Sequence, residues 1–332
     1  MHDPRWRTTL TIVLSAMALS NAAGGTAMAE TDQSDLPAQL VRDFHGAFGD
    51  RHARAVHAKG IFFEGSFQPS VEAPRLSTAS LFTGRRPVTV RFSDFTGLPD
   101  IPDTSGDANP RGLAIKFDLP GGGTYDIVSH SFNGFPVATA AEFSTLLQAL
   151  PKSGPDAPKP TPLDTFFASH PRALAFFTTQ KPPPESFATS AYFGVNAFYF
   201  TNAAGQKLPV RYRFVPGAGE RYLTADAVKA SSANFLMDEI GPRVATHPVT
   251  FTWLAQVGDP GDKIDDPSLA WPESRRQVTL GVITIDKAVP NTPERDRALL
   301  FLPGDVPSGI GIADPMVEVR NAAYPVSFGE RQ

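Results

Sequence analysis

The C-terminal string Arg320-Asn321-Ala322-Ala323-Tyr324, followed seven residues later by Arg331, places one phenol between two guanidinium groups. A phenol is a poor ligand while it keeps its proton, and an adjacent guanidinium favours its charged form. Arg320 precedes Tyr324 by four residues, so a helical turn would set both on one face. Phenolate is one of the few protein ligands for ferric haem iron. Far upstream, Arg54-Ala55-Val56-His57-Ala58-Lys59-Gly60 offers a complementary group. An imidazole titrates near neutrality, so His57 can take a proton from one substrate atom and return it to another. Gly60 permits close backbone approach, and Arg54 can reach an acidic group beside it.

Further along, Val90-Arg91-Phe92-Ser93 combines a planar guanidinium fork, matched to a carboxylate, with a hydroxyl able to fix an imidazole tautomer. Ser129-His130-Ser131-Phe132-Asn133 adds two more polar candidates, His130 and Asn133. In order along the chain, R-x-V-H-A-K-G (54–60), V-R-F-S (90–93), R-G-x-A-x-K-F (111–117), D-P-G-D-K-I-D-D-P-S-L-A-W-P (259–272) and the Arg320–Tyr324–Arg331 array resemble the haem catalases. The short chain is similar to the catalase-related peroxidase branch of that family, over roughly residues 35–332.

The resemblance implies haem b held by Tyr324 as the iron ligand, with Arg320 tuning that ligand and Arg54, Arg91 and Arg331 pairing with propionates. It implies His57 as the acid–base group and Ser93 as its orienter, acting on hydrogen peroxide with a small organic electron donor and weak catalase activity. Full-length catalases carry an asparagine that helps bind peroxide. Counting from Val128 puts His130 at that place, with Asn133 offset by three. An imidazole there could compete for peroxide protons, which favours donor-dependent reduction over disproportionation. Two alternatives stand beside this reading. Catalase-related lyases and allene oxide synthases tend to carry threonine before the distal histidine, where this chain has Val56. Non-enzymatic haem binding would need the tyrosine and arginines but not His57.

The elements that must position these residues are legible as patterns. Helical spacing covers Leu36–Phe48, Ala140–Leu150, Leu163–Ala175 and Ser232–Val244, the last shortened by Pro242. Strand patterns cover Val88–Phe92, Leu113–Phe117, Tyr125–Val128, Ala197–Thr201, Val210–Val215, Val249–Ala255 and Val278–Ile285. Gly121-Gly122-Gly123 predicts a hairpin turn. Strands in hairpin-like series with inserted helices favour an α+β antiparallel barrel over a doubly wound sheet. The resemblance makes that an eight-stranded β-barrel with a catalase-like core, lacking the C-terminal helical domain of full-length catalases. With no repeat and no linker, residues 30–332 read as one domain.

Composition narrows the rest. The 332 residues are 41% hydrophobic with a formal charge of −4, and nothing in that balance points to a nucleic-acid-binding surface. Arg5 and Arg7, the apolar run Leu10–Leu19 and Ala27-Met28-Ala29 predict a signal peptide over residues 1–29. The mature protein is then periplasmic or secreted, with no membrane span. The chain has no cysteine, which excludes disulfides, thiolate ligands and C-x-x-C-H haem attachment. His45, His52 and His57 fit no zinc spacing, the aspartates of 259–272 make no calcium loop, and no dinucleotide glycine fingerprint is present. The pattern leaves monomer and homodimer equally open.

Overall fold

The structure, a computed structural model, describes residues 35–290 and 293–332. The predicted signal peptide lies outside the described residues. In chain order the elements are α1 (Leu36–Phe48), β1 (Gly60–Pro69), α2 (Ala73–Leu76), β2 (Arg86–Ser93), β3 (Gly112–Asp118) and β4 (Thr124–His130). Three helices follow: α3 (Ala140–Ala149), α4 (Pro162–Ser169) and α5 (Pro171–Thr178). Then come β5 (Tyr192–Thr201), β6 (Lys207–Pro216), α6 (Ala225–Ala230), α7 (Phe235–Thr246), β7 (Val249–Val257) and β8 (Gln277–Ala288). The chain finishes with α8 (Pro293–Ala298), β9 (Ile310–Ile312) and α9 (Met316–Gly329).

The strands run in the order β4-β3-β2-β1-β8-β7-β6-β5, and the pairing of His130 with Phe193 joins β4 to β5 and closes an eight-stranded antiparallel barrel. Strand β9 is a short addition beside β5. Among the described residues no helical domain follows α9.

Successive strand side chains point to opposite faces, so each strand sends one set inward and one outward. Along β2, Val90 and Phe92 enter the fully buried core while Arg91 and Ser93 take the other face. Along β4, Tyr125 and Ile127 belong to the core while Asp126, Val128 and His130 alternate with them. The interior is filled with rings. Trp253 lies 5.2 to 5.4 Å, centroid to centroid, from Phe67, Phe117 and Tyr212, and the Tyr125 and Tyr212 hydroxyls meet at 2.8 Å. Truncating a buried ring of this size to Ala costs about 3–5 kcal/mol, and such packing leaves no lumen for a ligand. The polar candidates therefore sit on the outside of the barrel, where helices cover them.

Helix α1 organises that cover. Pro37 opens it and Gly49, at φ 84°, closes it. Its Leu40 packs with Ala140 and Leu147 of α3, and its Val41 with Ala55 and Ala323. Buried Asp43 accepts hydrogen bonds from Gln39 (2.7 Å), Ser144 (2.5 Å) and Gln148 (3.1 Å), tying α1 to α3.

Each predicted strand is present, and two more appear. Strand β1, with paired rather than alternating phenylalanines (G-I-F-F-E-G-S-F), has no period-2 signal, and β9 is three residues long. The predicted helix Leu163–Ala175 is two helices. The break falls at His170, at φ −126° and ψ 71°, because Pro171 disfavours helical geometry in the residue before it. Pro242 is held inside α7, which runs to Thr246.

Candidate active site

His57 lies in the connection between α1 and β1, in the left-handed backbone region at φ 57°. Histidine tolerates this conformation better than branched residues, at a cost of roughly 1 kcal/mol or more. The surroundings compensate. The His57 amide donates to the Phe95 carbonyl (2.8 Å) and the Ala58 amide to Thr96 (3.0 Å). Arg91 donates Nη1 to the His57 carbonyl (2.9 Å) and Nη2 to the Ala58 carbonyl (3.1 Å). Beneath this turn Lys59 is buried, donating to Asp103 (2.5 Å) and to the carbonyl of Ile101 (2.8 Å), while buried Arg111 pairs with Asp94. Two cations and two carboxylates balance there.

Ser93 Oγ lies 3.1 Å from His57 Nδ1. Its strand partners on both sides are glycines, Gly60 and Gly112. A Cβ at Gly112 would stand 2.8 Å from His57 Nδ1 and closer still to Ser93 Oγ, and one at Gly60 would meet the Arg91 guanidinium at 2.5 Å. Only glycine leaves room for the imidazole and the guanidinium to lie flat against the barrel.

Tyr324 is on α9, four residues after Arg320, whose Nη2 and Nε both donate to the phenol oxygen (2.7 and 3.0 Å). Arg320 also binds Asn196 of β5, whose amide in turn donates to buried Asp314 (2.8 Å). The Ala55 amide donates to Ser327 Oγ of α9 (3.2 Å), so the segments carrying His57 and Tyr324 are bonded directly across 272 positions.

Arg54, Arg91 and Arg331 converge on α8 and the turn after it. Arg54 Nε and Arg91 Nε donate to the same Asp296 carboxylate oxygen (3.1 and 3.0 Å). Arg54 and Arg331 share the Leu299 carbonyl (2.7 and 2.9 Å). Arg331 stands in the field of Asp296 and makes no ion pair of its own among the described residues. Burial, and then the Arg54 charge, lower Arg91 to about 10 and Arg331 to about 9. Among the described residues three cations share one ion-pair carboxylate, so positive charge is in excess in a largely buried place, which suits an anionic group.

His130 ends β4, and its pKa, like that of His57, is pushed down to about 3, first by burial. Each carries the Arg320 charge among the further causes, and His57 also carries that of His130, so the three groups share one field. Asn133 is not part of it. Its amide reaches Glu273 on the outside (3.4 Å), which is clamped by Arg213 at 2.5 and 2.7 Å. The loop is not rebuilt to bring Asn133 inward, so of the two candidates only His130 faces the site. Sequence reasoning missed Asp296, Asn196 and Asp314. No pattern marks any of them, because each is brought in by a distant element. Gly112 was visible within R-G-x-A-x-K-F, though not for its role.

Fold and site together define a closed antiparallel barrel carrying an imidazole, a guanidinium-bound phenol and an arginine cluster on its outer side. The chain belongs to the catalase family, whose profile matches residues 50–331. A catalase-related peroxidase of Synechococcus elongatus is 33% identical over 98% of this chain and 97% of its own. One from Mycolicibacterium paratuberculosis is 34% identical over 88% and 93%. A solved bacterial catalase superposes with a TM-score of 0.73 at 20% identity, covering 94% of this chain, which spans 63% of that one. These relatives support a peroxidase or catalase-type function.

The Ser93–His57 contact makes a direct test available. Gly112→Ala should destabilise the wild-type chain more than it destabilises a Ser93→Ala background, by about 1 kcal/mol, the worth of the hydrogen bond it displaces. Urea denaturation of the four proteins in the cycle measures it, and additive effects would show that the contact contributes nothing.

Proposed function

We propose that the protein is a haem b peroxidase that reduces hydrogen peroxide with electrons from a small organic donor. The observation carrying this reading is the excess of positive charge of Arg54, Arg91 and Arg331 over their one ion-pair carboxylate among the described residues, next to both His57 and the Arg320–Tyr324 pair. Two propionates would satisfy the arginines and the Tyr324 oxygen would ligate iron, while Gly60 and Gly112 leave the room that Arg91 and His57 occupy beside it. Among the described residues the buried Nε2 of His130 has no hydrogen-bond partner, which also fits a bound substrate. When bound, the haem iron supplies the electron transfer that cleaves the O–O bond.

The chain's own residues then handle protons and placement. His57 accepts a proton from one peroxide oxygen and delivers it to the other, which leaves as water. Ser93 holds the imidazole plane through Nδ1, so that Nε2 is the working atom. An imidazole that holds protons weakly hands this one on quickly. Arg320 stabilises negative charge on the Tyr324 oxygen through two donated hydrogen bonds. The donor gives two electrons and, with two protons, completes the conversion of peroxide to two waters.

His57→Ala should keep the haem Soret band while peroxide loss falls on the order of 10²- to 10⁴-fold, the usual worth of a positioned acid–base group. Tyr324→Phe should instead change or abolish the band. Undiminished peroxide loss in His57→Ala would reduce the protein to a haem binder.

The pH profile follows from sign. His57 works only when neutral, and burial moves its protonation from the ordinary value of about 6.5 down to about 3. The acid limb of kcat/KM for peroxide should therefore lie well below 6.5, and a limb centred near 6.5 would contradict the buried placement.

The basic start, apolar run and Ala27-Met28-Ala29 support an exported protein, periplasmic or secreted. Peptide sequencing of the protein recovered from its host should begin at Glu30. A retained Met1 would refute export by this route.

A further inference from the structure

Tyr222 lies half-buried in the loop between β6 and α6, and its phenol donates to the exposed Glu220 carboxylate. Lys181 Nζ donates to the same carboxylate at 2.6 Å and stands 5.0 Å from the centre of the Tyr222 ring. The other phenols are held differently. Tyr125 and Tyr212 bond to each other, Tyr192 donates to the Phe187 carbonyl (2.9 Å), and Tyr324 faces Arg320. Among the described residues only Tyr222 has a carboxylate at its phenolic proton. That matters because a phenol that loses an electron becomes a strong acid, and a base already in place takes the proton as the electron leaves.

Inward from Tyr222 the chain is tied to the floor of the candidate active site. The Arg221 N–H donates to the Thr189 carbonyl (3.0 Å) and the Leu223 N–H to the Pro183 carbonyl (2.9 Å). Between those two acceptors lies Phe187, whose carbonyl holds the Tyr192 phenol. Tyr192 is fully buried and stands in the fields of Arg111, Tyr222 and Asp94, so it lies between the surface phenol and the charges beneath the His57 turn. Its ring is 6.2 Å from Phe92, on which Phe187 also stacks at 5.2 Å. Phe92 immediately precedes Ser93, which holds the His57 ring. Aromatic groups thus follow one another from the surface to the strand that carries the site.

We propose that Tyr222 is a surface oxidation site, where phenols and arylamines too bulky to enter beside His57 give up electrons that pass inward through Tyr192 and Phe92. This deepens the peroxidase reading and rests on it, since the electrons end on hydrogen peroxide by way of the haem of that reading. In each round Tyr222 loses one electron inward and its phenolic proton to Glu220. The aromatic donor then transfers a hydrogen atom to the phenoxyl oxygen and leaves as its own radical, while Glu220 releases its proton to solvent. Two rounds supply the two electrons and two protons that turn one peroxide into two waters. The resting charges suit this sequence. Despite partial burial, the Lys181 hydrogen bond holds Glu220 below the usual carboxylate range, so it is a free base at neutral pH. Burial and then the Glu220 carboxylate raise the Tyr222 phenol, which keeps its proton until the electron goes. Tyr192 donates to a carbonyl, too weak a base to keep a proton, so it passes electrons without resting as a radical.

Two donors and two substitutions test the site in the haem-loaded full chain. Tyr222→Phe keeps the ring under Lys181 but has no O–H, and Glu220→Gln keeps a hydrogen-bond acceptor that cannot take the proton. Each should lower kcat/KM for the bulky dye ABTS, relative to that for the small donor catechol, on the order of 10²-fold, the low end of what a positioned proton acceptor is worth. A cluster that merely pins the loop would be insensitive to Glu220→Gln. Independently of turnover, electron paramagnetic resonance of protein frozen after mixing with peroxide and no donor should show a tyrosyl radical. Ring deuteration of tyrosine should narrow that signal, and Tyr222→Phe should lack it. An equal radical signal in Tyr222→Phe, or an unchanged preference between the two donors, overturns this site and leaves the peroxidase reading intact. If the unsubstituted, haem-loaded chain consumes no peroxide with any donor, the parent reading fails and this site fails with it.

Discussion

Arg91 is the residue on which the rest of the site depends. One guanidinium binds the His57 and Ala58 carbonyls, pairs with Asp296 and lies against the bare Cα of Gly60. Those contacts hold the left-handed turn that aims His57, and they bring α8 in against the barrel. The cost is a buried cation crowded by Arg54, and the surroundings return part of it through three hydrogen bonds. Had β2 presented an apolar residue at 91, the His57 carbonyl would lose its donor and the turn its constraint.

Two charged assemblies lie within a few residues of each other and differ in their balance. Lys59 and Arg111 face Asp94 and Asp103, charge for charge, and clamp the loops under the His57 turn. Among the described residues Arg54 and Arg91 ion-pair with one carboxylate, Asp296, and Arg331 stands in its field. A folded protein tolerates buried charge when it is paired, so the balanced set reads as architecture and the unbalanced one as a place for a ligand.

The barrel serves as a rigid board rather than a container. Its aromatic filling fixes the strands, and the period-2 alternation then sets Arg91, Ser93 and His130 on the outer face at one end. Helices α1 and α9 close over that face, joined to each other by Val41, Ala55 and Ala323 and to the His57 segment by the Ser327 hydroxyl. A site assembled this way can combine residues from opposite ends of the chain without strain in any single element, apart from the His57 turn itself.

Much of this was legible in the linear chain. Regular alternation marked the strands of the barrel, and the four-residue spacing of Arg320 and Tyr324 anticipated their contact on one helix face. The order of the short motifs pointed to the family. Strand β1 escaped because its phenylalanines come in pairs, and the break at His170 was a local effect of Pro171 overlooked inside an apolar run. Other features had no local trace. Nothing near Asp296 announces that it will meet two arginines some 200 or more positions away, and nothing in Ser129–Asn133 says which polar side chain turns inward. Side-chain type and short-range spacing determine what chemistry a residue can do, so the sequence alone fixed the cast of groups. Which of them meet, which are left with unmatched charge and which proton an imidazole keeps depend on burial and on long-range closure, and only the tertiary structure decides those.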